Sequence, residues 1–162
     1  MEKFSEKELS VMIDDLQRDI NTLSISLMKI SSAAFVFFMA NLLLIASIGI
    51  VLLNNIVQGG SYTHSITSNS TIAFIFFNGL SMNLLLIAIF NVNKAQHNEF
   101  LMMENPEENG NYYMNRIVKL EQAKEDMYEK LQMTANMTNA SMVITGVTVI
   151  VYAVVLSVTY LF

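Results

Sequence analysis

Two long stretches without a charged side chain restrict the fold of this sequence more than any other feature. No Asp, Glu, Lys or Arg occurs between Lys29 and Lys94, or after Lys130. These stretches contain three apolar segments: "AAFVFFMANLLLIASIGIVLL" (33–53), "IAFIFFNGLSMNLLLIAIFNV" (72–92) and "SMVITGVTVIVYAVVLSVTYLF" (141–162). A helix of about 20 residues crosses a hydrocarbon core of about 30 Å, whereas helices of soluble cores normally keep a polar stripe. We therefore predict three transmembrane helices, although the β-branched residues of the third segment would also suit a strand.

The basic residues predict how the chain is oriented in a membrane. All nine Lys and Arg lie before the first apolar segment or between the second and the third, and such residues remain on the cytoplasmic side. We therefore expect a multi-pass protein whose N-terminus is cytoplasmic and whose C-terminus is external. Residues 54–71, rich in Ser, Thr and Asn, form the predicted external loop, and Asn69 or Ser70 is predicted to cap the start of the second span.

The cytoplasmic segments carry apolar residues at alternating spacings of four and three, which is the pattern of a coiled-coil seam. The seam residues are Leu9, Ile13, Leu16, Ile20, Leu23, Leu27 and Ile30 before the first span, and Tyr113, Ile117, Leu120, Met127 and Leu131 before the third, with Lys124 interrupting the second set. The stretch "MENPEENGN" (103–111) contains Pro and Asn-Gly, which break a helix. We predict one helix over residues 5–53, a second that ends near 104, and a third that starts near 111.

The predicted fold class is an all-α membrane protein, with three transmembrane helices whose long helical cytoplasmic extensions form a coiled-coil-like stalk. Its segments are a cytoplasmic helix (1–32), the first span (33–53), the external loop (54–71), the second span (72–92), a cytoplasmic helical hairpin (93–140) and the third span (141–162). The seams could close within one chain or between chains. Because three short stalk segments make a thin core, we expect a homo-oligomer of four or more copies.

No motif indicates an enzyme. The chain has no Cys and only two His, without a paired ligand at metal spacing, and it contains no HExxH motif and no Gly-rich phosphate loop. The predicted spans contain no ionisable side chain apart from Tyr, which argues against proton relays. We therefore expect no catalytic residue, no metal and no cofactor.

Amides and hydroxyls within the predicted spans are the candidate functional residues. They are Asn41, Asn78, Ser81, Asn83, Thr145 and Thr148. A polar side chain in hydrocarbon must be hydrogen-bonded or hydrated, so these residues either join helices or line a pore. At about 100° per residue, Asn78 and Ser81 share one face of a helix and Asn83 lies on another. Both faces cannot line one pore, so at least one of these sites is expected to join helices.

The charged residues all lie on the predicted cytoplasmic side and give a net charge of −5. This acidic balance argues against binding duplex nucleic acid and favours cations at a pore mouth. A local basic pocket for a small anionic nucleotide is an alternative, with the tyrosines stacking on a base; its candidates are Lys94, Tyr112, Tyr113, Arg116 and Lys119. The amphipathic N-terminus, with Phe4, Leu9 and Ile13, is either the gate or plug of a pore or a frayed end on the membrane surface.

This layout resembles the small multi-span effectors of bacterial antiphage defence systems, namely the SLATT-type proteins of CBASS-like operons and the membrane subunit of Hailong-type systems. The resemblance covers the whole chain and lies in its size, its spans and its helical cytoplasmic part, not in a diagnostic motif. It implies a protein of the bacterial inner (plasma) membrane that oligomerises and disturbs the membrane when a nucleotide-type signal arrives.

Our leading hypothesis is a homo-oligomeric channel or pore in a lipid bilayer, gated by its cytoplasmic helices. The first alternative is a membrane-anchored coiled-coil scaffold that docks a cytosolic partner, in which the spans only hold the stalk in place. The second alternative is a holin-like lysis protein, which would not need a long stalk.

Overall fold

Three long helices make up the chain. The computed structural model describes residues 5–57, 63–103 and 112–161, and the side chains of 5–50, 53–54, 68–92 and 112–158. The described residues form α1 (Glu6–Val57), α2 (Thr63–Met103) and α3 (Tyr112–Leu161). Each helix contains a stretch long and apolar enough to cross a membrane. The all-helical prediction and the three helices of membrane-spanning length are confirmed.

The helix ends agree with the predicted ends at the break before α3 and differ from them at the predicted external loop. The helix that ends at Met103 and the one that begins at Tyr112 flank the predicted break. The predicted loop at 54–71 is helical on both sides of 58–62, which lie outside the described residues, because α1 continues to Val57 and α2 begins at Thr63. Asn69 and Ser70 therefore lie inside α2, and the prediction that either caps its start is wrong. Ser and Thr are tolerated within a helix because their hydroxyls can bond to the carbonyl four residues earlier.

The start of α1 is fixed by a capping box. The backbone N–H of Ser5 donates to Glu8 Oε2 at 2.8 Å, and the Ser5 hydroxyl donates to the same oxygen at 2.9 Å. The backbone N–H of Glu8 lies 3.4 Å from Ser5 Oγ, so each residue satisfies a main-chain donor of the other. These bonds hold the pKa of the Glu8 carboxyl below its usual value, with the backbone bond from Ser5 as the main cause.

The chain packs as two compact units, each built from all three helices. The first, which we call the charged unit, comprises Met1–Ser32 and Ala88–Ala135, and the second, the apolar unit, comprises Ala33–Ile87 and Asn136–Phe162. Every Asp, Glu, Lys and Arg of the sequence falls within the charged unit. We describe the two units separately.

The charged unit has a small apolar core. Ile20, Leu27, Val92 and Met127 form it, and the partly buried Leu23, Leu120, Ala123 and Leu131 pack against it. These residues include six of the twelve seam positions predicted for the first and third helices, and they meet within a single chain. The coiled-coil geometry of a stalk and the closure of a seam between chains stay predictions.

Buried residues recur at spacings of three, four, seven or ten along the helices. The buried set is Ile13, Ile20, Leu27, Ala34 and Asn41 in α1, then Thr71, Phe74, Asn78, Ser81, Leu85, Ala88 and Val92 in α2, and Ile117, Met127, Thr134, Thr138 and Ser141 in α3. Spacings of this kind place side chains on one side of a helix. The apolar members lie mainly in the charged unit, and the polar members lie mainly in the apolar unit.

Candidate functional site

The buried face of the apolar unit is unusually polar. It carries Asn41, Thr71, Asn78, Ser81, Thr138 and Ser141, and we call this set, together with the half-buried Thr145 and Tyr152, the polar seam. Buried polar groups are stable only when they have hydrogen-bond partners, and between apolar helices such bonds contribute directly to association. The partners of these side chains therefore decide whether the seam joins helices or offers a path for ions.

Ser81 on α2 and Ser141 on α3 bind each other reciprocally. The Ser81 hydroxyl donates to the carbonyl oxygen of Ser141 at 3.0 Å, and the Ser141 hydroxyl donates to the carbonyl oxygen of Ser81 at 3.2 Å. Side chains as small as Ser allow the two backbones to come this close. The pair is a direct link between the second and third helices.

Asn41 brings α1 into the same network. The Thr145 hydroxyl donates to Asn41 Oδ1 at 3.3 Å, and it also lies 2.8 Å from Ser81 Oγ. The chain of contacts from Asn41 through Thr145 to Ser81 and Ser141 thus joins all three helices. Each of these four side chains has a hydrogen-bond partner on another helix.

A second contact of the seam involves Tyr152. Its hydroxyl lies 3.0 Å from Thr71 Oγ1, and its ring centroid lies 4.7 Å from that of Phe74. The sequence analysis did not select Thr71, Ser141 or Tyr152 as site residues. The signal was present in the spacing of α2, since residues 71, 74, 78, 81, 85, 88 and 92 alternate by three and four.

Asn78 is the incompletely satisfied member of the seam. Its Nδ2 donates to the carbonyl oxygen of Phe74 at 2.9 Å, while its fully buried Oδ1 has no hydrogen-bond partner. A buried acceptor without a partner costs about 1–3 kcal/mol. Thr148, another predicted site residue, donates its hydroxyl to Ile144 O of its own helix.

Asn83 lies apart from these residues. It is exposed on the outer face of α2, and its Nδ2 donates to the carbonyl oxygen of Gly79 at 3.1 Å. The spacing predicted that Asn83 would face away from Asn78 and Ser81, which are both fully buried. The span segments therefore contain two kinds of polar residue, one turned inward and the other outward.

The predicted ligand residues cluster in part at the start of α3. The Arg116 guanidinium donates to the Tyr112 hydroxyl and lies 5.7 Å from the centroid of that ring. The Tyr113 ring packs edge-on against Tyr112, with 5.5 Å between the centroids. Lys119 is exposed one turn further along the helix, and the side chain of Lys94 lies outside the described residues. The described members present a guanidinium, two aromatic rings and a nearby ammonium group.

The three residues predicted as a gate or plug lie in different surroundings. Ile13 is buried and Leu9 is half-buried in the charged unit, whereas Phe4 lies outside the described residues. A plug that uses Ile13 would have to leave this buried position.

An ion pair stands where the sequence places an interruption of the α3 seam. Lys124 Nζ lies 2.6 Å from Asp19 Oδ2 and so links α3 to α1 within the charged unit. The hydrogen bond and the charge of Lys124 lower the pKa of the Asp19 carboxyl below its usual value. Both side chains are about half-exposed, so the pair lies at the surface of the charged unit, where ion pairs contribute little to stability.

A groove with a cavity volume of about 400 Å³ lies between α2 and α3 in the apolar unit. Its wall is mainly apolar and includes Phe74, Phe77, Val147, Val151 and Tyr152. An apolar wall of this kind accommodates hydrocarbon and offers few partners to an ion or a nucleotide. The groove is therefore no candidate for a polar path or an anion site.

The chain matches no protein-family model, and no curated protein and no solved structure shows detectable similarity to it.

Proposed function

We propose that the protein is a homo-oligomeric membrane channel or pore, gated by its cytoplasmic helices. In this proposal the three apolar stretches span the bacterial inner membrane with the N-terminus in the cytoplasm, and four or more copies surround a common axis. The charged unit is the cytoplasmic part, and catalysis and cofactors play no role.

The observation that carries the proposal is the continuity of α1 and α3. Each helix runs without a break from a segment with charged residues into an apolar stretch of membrane-spanning length. An unbroken helix has no flexible joint, so a rotation or shift at one end displaces the other end. A signal received by the charged segments of these helices would therefore move the spans.

The polar seam supports a pore between copies, not inside one chain. Asn41, Ser81, Ser141 and Thr145 already bond to one another, and bonds of this kind hold membrane helices together. The apolar unit of each chain would thus hold together as one bundle of three helices. A water-filled path would then lie between neighbouring subunits, outside the polar seam of each one.

The proposal extends to an effector that opens on a nucleotide-type signal, as the resemblance implies. Tyr112 and Arg116 are in contact at the start of α3, and a guanidinium beside aromatic rings suits a phosphate and a base. Ion flux should then rise with a candidate nucleotide, and Arg116→Gln should weaken that response while Lys130→Gln, a charge change elsewhere on α3, should not. If the nucleotide raises ion flux equally in the wild type, Arg116→Gln and Lys130→Gln, the start of α3 is not a nucleotide site.

Ion flux through purified protein in liposomes tests the gating directly. The chain has no Cys, so the double variant Asp19→Cys, Lys124→Cys can be joined by a cleavable thiol-reactive cross-linker at the place where the two side chains now meet. We expect the cross-linked protein to be held in one state, with flux returning to the starting level after cleavage of the linker. Each single-Cys variant, treated in the same way, controls for modification alone. Wild-type protein that passes no ions under any activating condition would contradict the proposal.

The second candidate is a membrane-anchored scaffold, and the hydrogen bonds that the polar seam makes between helices favour it. A seam that only holds an anchor together needs no pore. In that case the wild-type chain and the Asn83→Leu variant would recover a cytosolic partner equally well. Liposomes that contain the protein would pass no ions. Flux that changes with Asn83 in a chain that still folds would exclude the scaffold.

A further inference from the structure

The outer face of α2 contains one polar side chain that the fold of a single chain does not explain. Asn83 lies in the middle of the apolar segment 72–92, and it is exposed. Its bond to Gly79 O uses one of the four hydrogen-bonding positions of the amide. An amide at such a place in a bilayer has neither water nor lipid partners at its own depth. The short Asn side chain also cannot reach the membrane surface, as Lys and Arg do.

The residues around Asn83 form a ridge roughly opposite the buried face of α2. The ridge consists of Ile72, Phe76, Gly79, Asn83, Leu86 and Phe90, spaced alternately by four and three. Ile72, Phe76, Leu86 and Phe90 are large, apolar and exposed. Spacing of this kind is the pattern by which one helix packs along another.

Gly79 interrupts this ridge one turn from Asn83. A Cβ atom built at Gly79 would meet nothing within 4 Å, so packing within the chain does not require a glycine here. Glycine also destabilises a helix interior relative to Ala. A residue of this kind is expected where the backbone of another helix approaches closely, because small residues form the contacts between membrane helices.

We propose that the Gly79–Asn83 turn of α2 is the site at which the protein binds a second copy of itself. This inference rests on the proposed function in one respect, since it takes α2 to be embedded in a membrane. The missing side chain of Gly79 leaves a notch that admits the neighbouring helix. The Asn83 amide forms a hydrogen bond to the same helix.

A second copy fits this surface better than another partner. Copies inserted in one orientation place their Asn83 side chains at the same depth, and a closed ring repeats the same contact from each copy to the next. An amide is both donor and acceptor, so it complements an identical amide. The ridge has no charged residue that would select a partner of opposite charge.

Self-association of the full-length chain tests the contact. Donor- and acceptor-labelled copies are mixed in detergent micelles, and energy transfer is followed as the protein is diluted with detergent. We expect Asn83→Leu to weaken association by about 3- to 30-fold for each contact, the range of an interhelical hydrogen bond in a membrane. Asn83→Gln keeps an amide and should retain more association than Asn83→Leu.

A matched pair of glycine variants shows whether the effect is specific. Gly79→Leu fills the notch and should weaken association at least as much as Asn83→Leu. Gly146→Leu makes the same change on α3, where an added Cβ also meets nothing within 4 Å, and it should leave association unchanged. Helix content and thermal unfolding of the variants check that each chain still folds.

The same preparations separate this inference from the proposed function. Association that depends on Gly79 and Asn83, without ion flux, supports the contact and contradicts the channel. Flux with unaltered association of Asn83→Leu and Gly79→Leu contradicts the contact and leaves the channel standing. The contact is overturned if the wild-type chain is monomeric at every dilution. It is also overturned if Gly146→Leu is the only variant that weakens association.

Discussion

The two units of this chain use the same helices and opposite core chemistry. In the charged unit, Ile20, Leu27 and Met127 are buried and the charged side chains lie outside. In the apolar unit, Asn78, Ser81 and Ser141 are buried, while Phe76, Leu43 and Ile150 are exposed. The buried positions are therefore mainly apolar in the charged unit and mainly polar in the apolar unit.

The reversal indicates which force holds each unit together. Burial of apolar surface stabilises a core that water surrounds. Between helices surrounded by hydrocarbon, apolar side chains gain little from burial, and hydrogen bonds and close packing of small residues take over. The same spacing of buried residues thus serves two different solvents in the proposed membrane setting.

The largest effect is expected from the apolar core of the charged unit. Leu27→Ala removes a fully buried side chain and should lower the free energy of unfolding by about 2–5 kcal/mol. Met28→Ala, at the exposed neighbouring position, should change it by less than about 0.5 kcal/mol. Denaturant unfolding in detergent, followed by circular dichroism, measures both. Equal losses would mean that Leu27 does not belong to a core.

The next effect concerns hydrogen bonds in the apolar unit. Ser81→Ala removes the donor to Ser141 O and should cost about 0.6–2 kcal/mol in the same unfolding measurement. Ser47→Ala is the control, because the Ser47 hydroxyl donates to Leu43 O of its own helix and is exposed. A control that loses as much stability as Ser81→Ala would contradict a polar core.

A smaller effect, close to zero or stabilising, is expected at Asn78. Its Oδ1 is buried without a partner, so Asn78→Leu removes an unsatisfied group and keeps a side chain branched at the same carbon. We expect the free energy of unfolding to stay within about 1 kcal/mol of the wild-type value or to rise. A loss larger than that of Ser81→Ala would show that the Asn78 amide makes a bond essential to the unit.

The smallest effect is a pH dependence of stability, which is expected from the ion pair of the charged unit. Lys124 lowers the pKa of Asp19 below its usual 3.8 in the folded chain, so the folded state favours the ionised carboxylate. This contribution to stability is fully present above pH 3.8 and is lost as the pH falls through the lowered pKa. Unfolding of the wild type and of Asp19→Asn should therefore differ at neutral pH and converge in acid. Asp14→Asn, the same change at another carboxyl of α1, is the control. A difference between the wild type and Asp19→Asn that grows in acid would contradict the ion pair.

The sequence predicted the features that depend on long patterns. The charge-free stretches located the apolar segments, the Asn-Pro and Asn-Gly pairs located the break before Tyr112, and the seam identified Ile20, Leu27 and Met127 as core residues. These features are repeated or strongly punctuated, so no single substitution hides them.

The remaining features depend on contacts that a pattern of apolar residues does not reveal. The seam of α2 was missed because polar Thr71, Asn78 and Ser81 occupy its buried positions. The start of α2 at Thr63 is not predicted by the sequence, because Ser, Thr and Asn are typical of turns. The pairing of Ser81 with Ser141, 60 residues away, follows from packing alone, and only the inward direction of Asn78 and Ser81 relative to Asn83 could be predicted.

Native mass spectrometry of the detergent-purified complex tests the central claim, that the chain is one subunit of a ring, most directly. The account predicts a single closed assembly of four or more copies, which provides an axis for a central pore. A complex that is only a monomer or a dimer would contradict it, since neither provides such an axis.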